Sequence, residues 1–179
     1  VIFAANHQSF MDTPVILAAL PSPLRYQVVT AMSKEFFNPH FHPEQHTRRA
    51  RLTNSLNYYL STGLFNAFPL PQRETGTRHA LRYAGELVGT GNSLMIFPEG
   101  KRTSGDDVGS FQPGVAMIAE RLGVPVIPVR LRGLDVVLGI GQTMARPGRV
   151  LVRFGPQVRP QGSDHRDMAA KLEKTIRDL

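Results

Sequence analysis

The stretch Ser93-Leu94-Met95-Ile96-Phe97-Pro98-Glu99-Gly100-Lys101-Arg102-Thr103 decides how the rest of the chain reads. Its first five residues, SLMIF, show no polar alternation, so the pattern predicts a strand buried on both faces. Pro-Glu-Gly then forces a sharp turn, and the glycine lets backbone come close to a ligand. The run Val124–Val129 (VPVIPV) has the same apolar character. Its two prolines each remove a ladder donor, which points to a special edge or a bend.

Outward from these runs, short apolar segments alternate with helical patterns. Strands are predicted at Val1–Ala5, Tyr26–Ala31, Ala67–Leu70, Val126–Leu131 and Val150–Phe154. Thr13–Pro14 reads as an N-cap followed by proline at the first helical position, opening a helix to about Leu20. Further helices are predicted over Arg48–Thr62, Thr77–Val88, Pro113–Leu122 and Asp164–Leu179. In Thr77–Val88, Ala80, Leu81, Ala84, Leu87 and Val88 form a stripe opposite Arg78, Arg82 and Glu86. The alternation predicts an α/β layered fold, with a mostly parallel central sheet flanked by helices.

The chain has 179 residues, 41% of them hydrophobic and 20% charged, which suits one globular domain over 1–179 and excludes a disordered chain. It opens in mid-strand with VIFAA, which reads as a domain truncated at its N-terminus. There is no cysteine, so disulfides, thiol catalysis and cysteine-based zinc sites are excluded. The net charge is +7, carried by 17 Arg against 4 Lys. That bias suits bidentate binding of phosphate or carboxylate and points to an anionic partner: nucleic acid, an anionic membrane surface or a phosphorylated substrate. The longest uncharged stretch, Leu52–Gln72, is too rich in Asn, Ser and Thr to span a bilayer.

Four segments can carry chemistry. Asn6–Asp12 (NHQSFMD) lies between a strand and a helix, where α/β folds place their sites. His7 and Asp12 are spaced so that a bend can bring the carboxylate onto the imidazole. That contact would set the tautomer and leave the other nitrogen to take a proton. The same residues also read as a capping aspartate and a hydrogen-bonded loop histidine. Ser9 suggests a triad, but its crowding between the other two and the lack of a G-x-S-x-G elbow argue against it. Phe97–Thr103 offers Glu99, Lys101 and Arg102 on a turn, or simply a polar turn with solvated charges. Phe68–Arg73 delivers Arg73 from a strand end. His40, His42 and His46 could mimic a metal cluster, but Pro39 and Pro43 bracket the first two and no carboxylate framework follows; a polar loop is preferred and no metal site is assigned.

Together, His-x4-Asp after a strand, an arginine at a strand end, FPEGxR and VPVIPV, in this order, resemble the glycerolipid acyltransferase family, whose best-known members are the 1-acylglycerol-3-phosphate acyltransferases. The likeness covers about Val1–Gly133, with a fainter echo at Val150–Phe154. It implies that His7 is the catalytic base and Asp12 its partner. It implies that Arg73, Glu99, Gly100 and Arg102 bind the acceptor's glycerol phosphate. The segment Val124, Pro125, Val126, Ile127, Pro128 and Val129 falls on the acyl-donor side. Lys101 stands where many members have Thr and adds a cation beside the phosphate. FPLPQ before Arg73 is richer in proline than the family pattern.

The resemblance implies direct transfer of a fatty acyl group from acyl-CoA or acyl-carrier protein to a lysophospholipid hydroxyl, foremost 1-acylglycerol 3-phosphate, without metal or bound cofactor. Glycerol 3-phosphate and other lyso-lipids remain open as acceptors, as does a non-catalytic lipid-phosphate module. Lipid substrates imply contact with an anionic membrane, at its cytoplasmic face. Arg48, Arg49 and Arg51, ahead of Tyr58, Tyr59, Phe65 and Phe68, mark Arg48–Leu70 as the contact segment or, equally, as a core-facing helix with a solvated basic end. Nucleic acid is disfavoured, because the arginines are scattered and no RNP, KH or helix-turn-helix pattern occurs.

Overall fold

Ile2 and Ala4 point to one face of a central sheet, Phe3 and Ala5 to the other, and both faces are covered. A computed structural model describes residues 1–33, 40, 42–70, 77–160 and 164–179. The strands are β1 (Ile2–Ala5), β2 (Val28–Ser33), β3 (Ala67–Leu70), β4 (Ser93–Ile96), β5 (Val126–Arg132) and β6 (Leu151–Phe154). They form one sheet in the order β3-β2-β4-β1-β5-β6. All neighbours run parallel except β5 and β6. Register places Ile2 beside both Leu94 and Val126. SLMIF and VPVIPV therefore flank the first strand at the centre, as their unbroken apolar character requires.

The helices are α1 (Asp12–Ala19), α2 (Ser22–Arg25), α3 (Arg48–Phe65), α4 (Thr77–Gly89), α5 (Gly114–Leu122), α6 (Leu134–Leu138) and α7 (His165–Asp178). Ala84, the Val115–Ala119 stripe and Met168, Ala169, Leu172 and Ile176 bring α4, α5 and α7 onto the face of Ile2 and Ala4. Ile16, Leu20 and Leu134 bring α1 and α6 onto the opposite face. The result is the three-layer α/β arrangement expected from the sequence. Gly123 closes α5 in the left-handed conformation, with φ +63°. Asp164 caps α7, accepting from the N–H groups of Arg166 and Asp167.

Three local expectations change. Helix α1 begins at Asp12, with Met11 at the cap position and no side-chain cap. Thr13 is displaced as the cap because Asp12 directs its carboxylate back onto the preceding loop. Helices α2 and α6 lie in segments too short to show a helical period. Of the two prolines, Pro125 precedes β5 and Pro128 lies within it, and neither marks an outer edge, since β5 is interior. The carbonyl of Pro128 accepts from Gly155 N at 2.8 Å, so its missing donor faces the chain just past the end of β6, where no ladder partner is lost.

Candidate active site

β1 ends at Ala5, and the chain turns through Asn6–Met11 into α1. Asn6 anchors this turn to β5: its Oδ1 accepts from Leu131 N at 2.7 Å and its Nδ2 donates to Leu131 O at 3.0 Å. Asp12, 1% exposed, folds back over the turn. Its Oδ2 accepts from Gln8 N at 2.7 Å, and both carboxylate oxygens lie 3.0 Å from Ser9 N. The same Oδ2 lies 2.6 Å from His7 Nδ1. A carboxylate held by backbone donors acts as acceptor, so Nδ1 carries the proton and the lone pair of Nε2 is left for a substrate. The imidazole stacks on Phe97, with ring centroids 4.4 Å apart, and keeps 24% of its side-chain surface open. The orientation of the ring is thus set from two sides.

Ser9 is occupied elsewhere. Its hydroxyl donates to Leu138 O at 2.6 Å and accepts from Met11 N at 3.1 Å, so it shapes the turn. Asp12 therefore does not cap α1; its carboxylate organises the preceding loop and touches the imidazole.

The second wall comes from the loop after β4. Gly100 has φ +69°, a left-handed turn that a side chain resists. Arg102 lies with its guanidinium carbon 3.8 Å from the centroid of the Phe10 ring, which fixes the plane of the fork beside the His7 turn. Lys101 is exposed. Glu99 is 5% exposed and turned inward. Its Oε1 accepts from His7 N at 2.8 Å; its Oε2 accepts from the Thr103 hydroxyl at 2.7 Å and Gly109 N at 3.0 Å. Thr103 N returns to His7 O at 2.8 Å. Gln8 is also buried, and its Nε2 donates to Gly105 O at 2.9 Å.

The structure therefore brings His7, Asp12, Glu99 and Arg102 to the carboxyl ends of β1 and β4. Arg73 lies outside the described residues. Val124–Pro128 leads up to this end of the sheet: Val126 is level with Ile2 and Pro128 with Ala4, one residue before the end of β1. What β5 presents to the His7 turn is Arg130–Leu131. Gln8, Phe10, Phe97, Thr103 and Gly109 were not singled out from sequence. Only Phe10 and Phe97 carried a usable signal, as aromatic residues flanking candidate polar groups.

An acyltransferase family model matches residues 1–132. The chain belongs to that acyltransferase family. It is 25% identical over 153 residues to a chloroplastic 1-acyl-sn-glycerol-3-phosphate acyltransferase of Brassica napus, covering 78% of this chain and 35% of that protein. It is 24% identical over 160 residues to a 1-acyl-sn-glycerol-3-phosphate acyltransferase of Chlamydomonas reinhardtii, covering 85% and 40%. The chain thus spans little more than a third of these curated relatives. Among solved structures, the 1-acyl-sn-glycerophosphate acyltransferase of Thermotoga maritima superposes with a TM-score of 0.69 at 26% identity, over 99% of this chain and 63% of that one.

The acyltransferase family assignment fits the turn that joins His7 to Asp12.

Proposed function

We propose that this acyltransferase moves a fatty acyl group from acyl-CoA or acyl-carrier protein to the free hydroxyl of a lysophospholipid, 1-acylglycerol 3-phosphate foremost, yielding phosphatidate. The observation that carries this reading is the His7–Asp12 contact of 2.6 Å with Arg102 alongside. His7 Nε2 takes the proton of the acceptor hydroxyl as its oxygen attacks the thioester carbonyl. Asp12 stabilises the imidazolium. Collapse of the tetrahedral intermediate forms the ester, breaks the C–S bond and returns the proton from His7 to the leaving thiolate. General-base help of this kind contributes ~10²–10⁴-fold.

Arg102 grips the acceptor phosphate with two parallel donors, supplemented by Lys101 and by Arg73. Glu99 works at one remove. Its oxygens already serve the protein, and a carboxylate would repel phosphate, so it holds the His7 backbone in place.

The acceptor is reached at an anionic membrane surface through α3. Leu52, Leu56 and Tyr59, at i, i+4 and i+7, are 74%, 59% and 65% exposed. Arg48, Arg49 and Arg51 are exposed at the start of the helix. An apolar stripe beside a basic end suits an interfacial helix. An open depression of about 290 Å³, lined by Arg48, Arg51, Leu52 and Ser55, offers a seat for an anionic head group. Among the described residues, no helix is long and apolar enough to cross a membrane.

The test is a panel of lyso-acceptors, with glycerol 3-phosphate included, against labelled acyl-CoA and acyl-carrier protein. Label is expected in phosphatidate. Transfer to none of the acceptors would overturn the reading. Transfer only to glycerol 3-phosphate would move the acceptor one step earlier.

A further inference from the structure

The loop that holds His7 is itself held from outside the site. Residues 103–109 contribute the Thr103 hydroxyl and Gly109 N to Glu99, and the Gly105 carbonyl to Gln8. No helix or strand runs through this stretch, so individual hydrogen bonds set its place. Arg130 on β5 is 3% exposed. Its Nη2 donates to the carbonyl of Asp106 and, at 3.0 Å, to Asp106 Oδ1. Arg132, on the same face of the strand, has its Nε 3.2 Å from Asp106 Oδ2. One carboxylate thus bridges two arginines. Further along, Arg177 of α7 pairs with Asp107 at 2.5 Å and donates to Val108 O.

A buried guanidinium is costly unless an anion compensates it, and apolar replacements often stabilise a fold more. Nε and Nη1 of Arg130 meet no acceptor among the described residues, so Asp106 alone neutralises it at close range. Such an arrangement adds little stability. It does give the 106 backbone a fixed position. The same strand grips the other side of the site, because Leu131 is the residue that pairs with Asn6. Arg130 and Leu131 therefore tie the turn before His7 and the loop behind it to one piece of β5.

We propose that Arg130 is a positioning residue of the acyl transfer, acting through Asp106 to fix loop 103–109 and, through that loop, the seat of His7 and the approach of Arg102. This rests on His7 and Asp12 being the proton-transfer pair. It gives the arginine of VPVIPVR a task in the reaction.

The experiment uses the full chain with Arg130→Met, which keeps length and removes charge, Arg130→Lys, Asp106→Asn, and the double variant. Thiol release from acyl-CoA is followed with the acceptor that wild type uses, beside amide hydrogen exchange and Tm. Arg130→Met is expected to lower kcat at least 10-fold with acyl-CoA KM within 2-fold. Exchange should quicken at 103–109 and stay unchanged in β1, β4 and α7. Arg130→Lys should recover part of kcat. The double variant should be no slower than Arg130→Met, because both changes break one contact. If Arg130→Met keeps kcat within 2-fold, or the two single losses multiply, the proposal fails. Loss of kcat together with faster exchange throughout the sheet means a structural role only and also overturns it. If Arg130→Met does not fold, Asp106→Asn decides: slow turnover with quickened loop exchange supports the proposal, and native turnover refutes it. A wild type that releases no thiol from either acyl-CoA or acyl-carrier protein with any acceptor refutes the acyl-transfer reading and the proposal's catalytic half with it. A working wild type with an indifferent Arg130→Met refutes the proposal alone.

Discussion

The backbone N–H of His7 ends on the carboxylate of Glu99, 2.8 Å away across 92 positions of chain. The motif after β1 and the motif after β4 are thus one unit, joined by a part-buried charge-assisted hydrogen bond. That bond makes the position of His7 depend on Glu99 and on the groups that hold its carboxylate.

Gly109 tests this dependence. A Cβ there would lie 2.5 Å from Glu99 Oε2 and 3.0 Å from Thr103 Cγ2. Gly109→Ala should displace the carboxylate, cost ~1–3 kcal/mol of stability as overpacking does, and lower kcat at least ~10-fold, worth ~1.4 kcal/mol of barrier. Glu99→Gln should act in the same direction, because one amide oxygen must replace two carboxylate oxygens and its NH₂ would face a donor. Denaturant unfolding and steady-state turnover check both; native kcat in both variants would separate Glu99 from the base.

His7→Ala should reduce acyl transfer by at least ~10²-fold while leaving Tm near native, since the imidazole contributes chemistry. Asp12→Asn should lose most turnover and some stability too, because its carboxylate also receives the N–H groups of Gln8 and Ser9. Near-native activity of His7→Ala with a native melting curve would remove the general-base assignment.

Arg102→Lys should cut kcat/KM for a phosphorylated acceptor at least ~10-fold, ~1.4 kcal/mol of transition-state stabilisation, and change an acceptor lacking phosphate much less. Phe10→Leu should shift the same ratio in the same direction, since Phe10 orients the guanidinium. Lys101→Thr should cost little. The measurement is the ratio between the two acceptors; equal slowing would assign Arg102 to the loop or to the acyl donor.

Replacing Arg48, Arg49 and Arg51 together should weaken binding to anionic vesicles by ~1 kcal/mol per arginine and leave binding to neutral vesicles unchanged. Replacing Leu52, Leu56 and Tyr59 with serine should weaken both. Co-sedimentation at two salt concentrations distinguishes the two components, and unchanged binding in both variants would move the membrane contact off α3.

Acid should loosen the far side of the fold. The hydrogen bond from Arg177 holds the Asp107 carboxyl below its ordinary 3.8, and the N–H groups of Asp167 and Arg166 do the same for Asp164. In both cases the folded pKa lies below the unfolded one, so the stabilisation is present above about 3.8 and lost as pH falls through the folded values. Urea midpoints should drop below about pH 4, less steeply in Asp107→Asn, with the Asp107 share shrinking at high salt because that pair is exposed. An identical acid slope in Asp107→Asn would assign the drop to other groups.

The class of fold and the two ends of the candidate site were legible in the chain alone. Strands buried on both faces cannot alternate in polarity, so SLMIF and VPVIPV announced a parallel sheet without any knowledge of their partners. His7 and Asp12 were legible because their contact is local: the six residues His7–Asp12 bend back on themselves, and the loop's own N–H groups complete the turn. Glu99 was legible as a site residue and illegible in its task, since its partners His7, Thr103 and Gly109 depend on how two strand ends lie side by side. The exposed face of α3 could not be read either, because an apolar stripe looks the same in sequence whether it meets a core or a membrane. Arg130 is the extreme case. Only tertiary structure decided that an arginine in an apolar strand sits nearly buried beneath Asp106. Long-range pairing of charges leaves no periodicity in the chain, because it depends on the crossing of elements far apart in sequence.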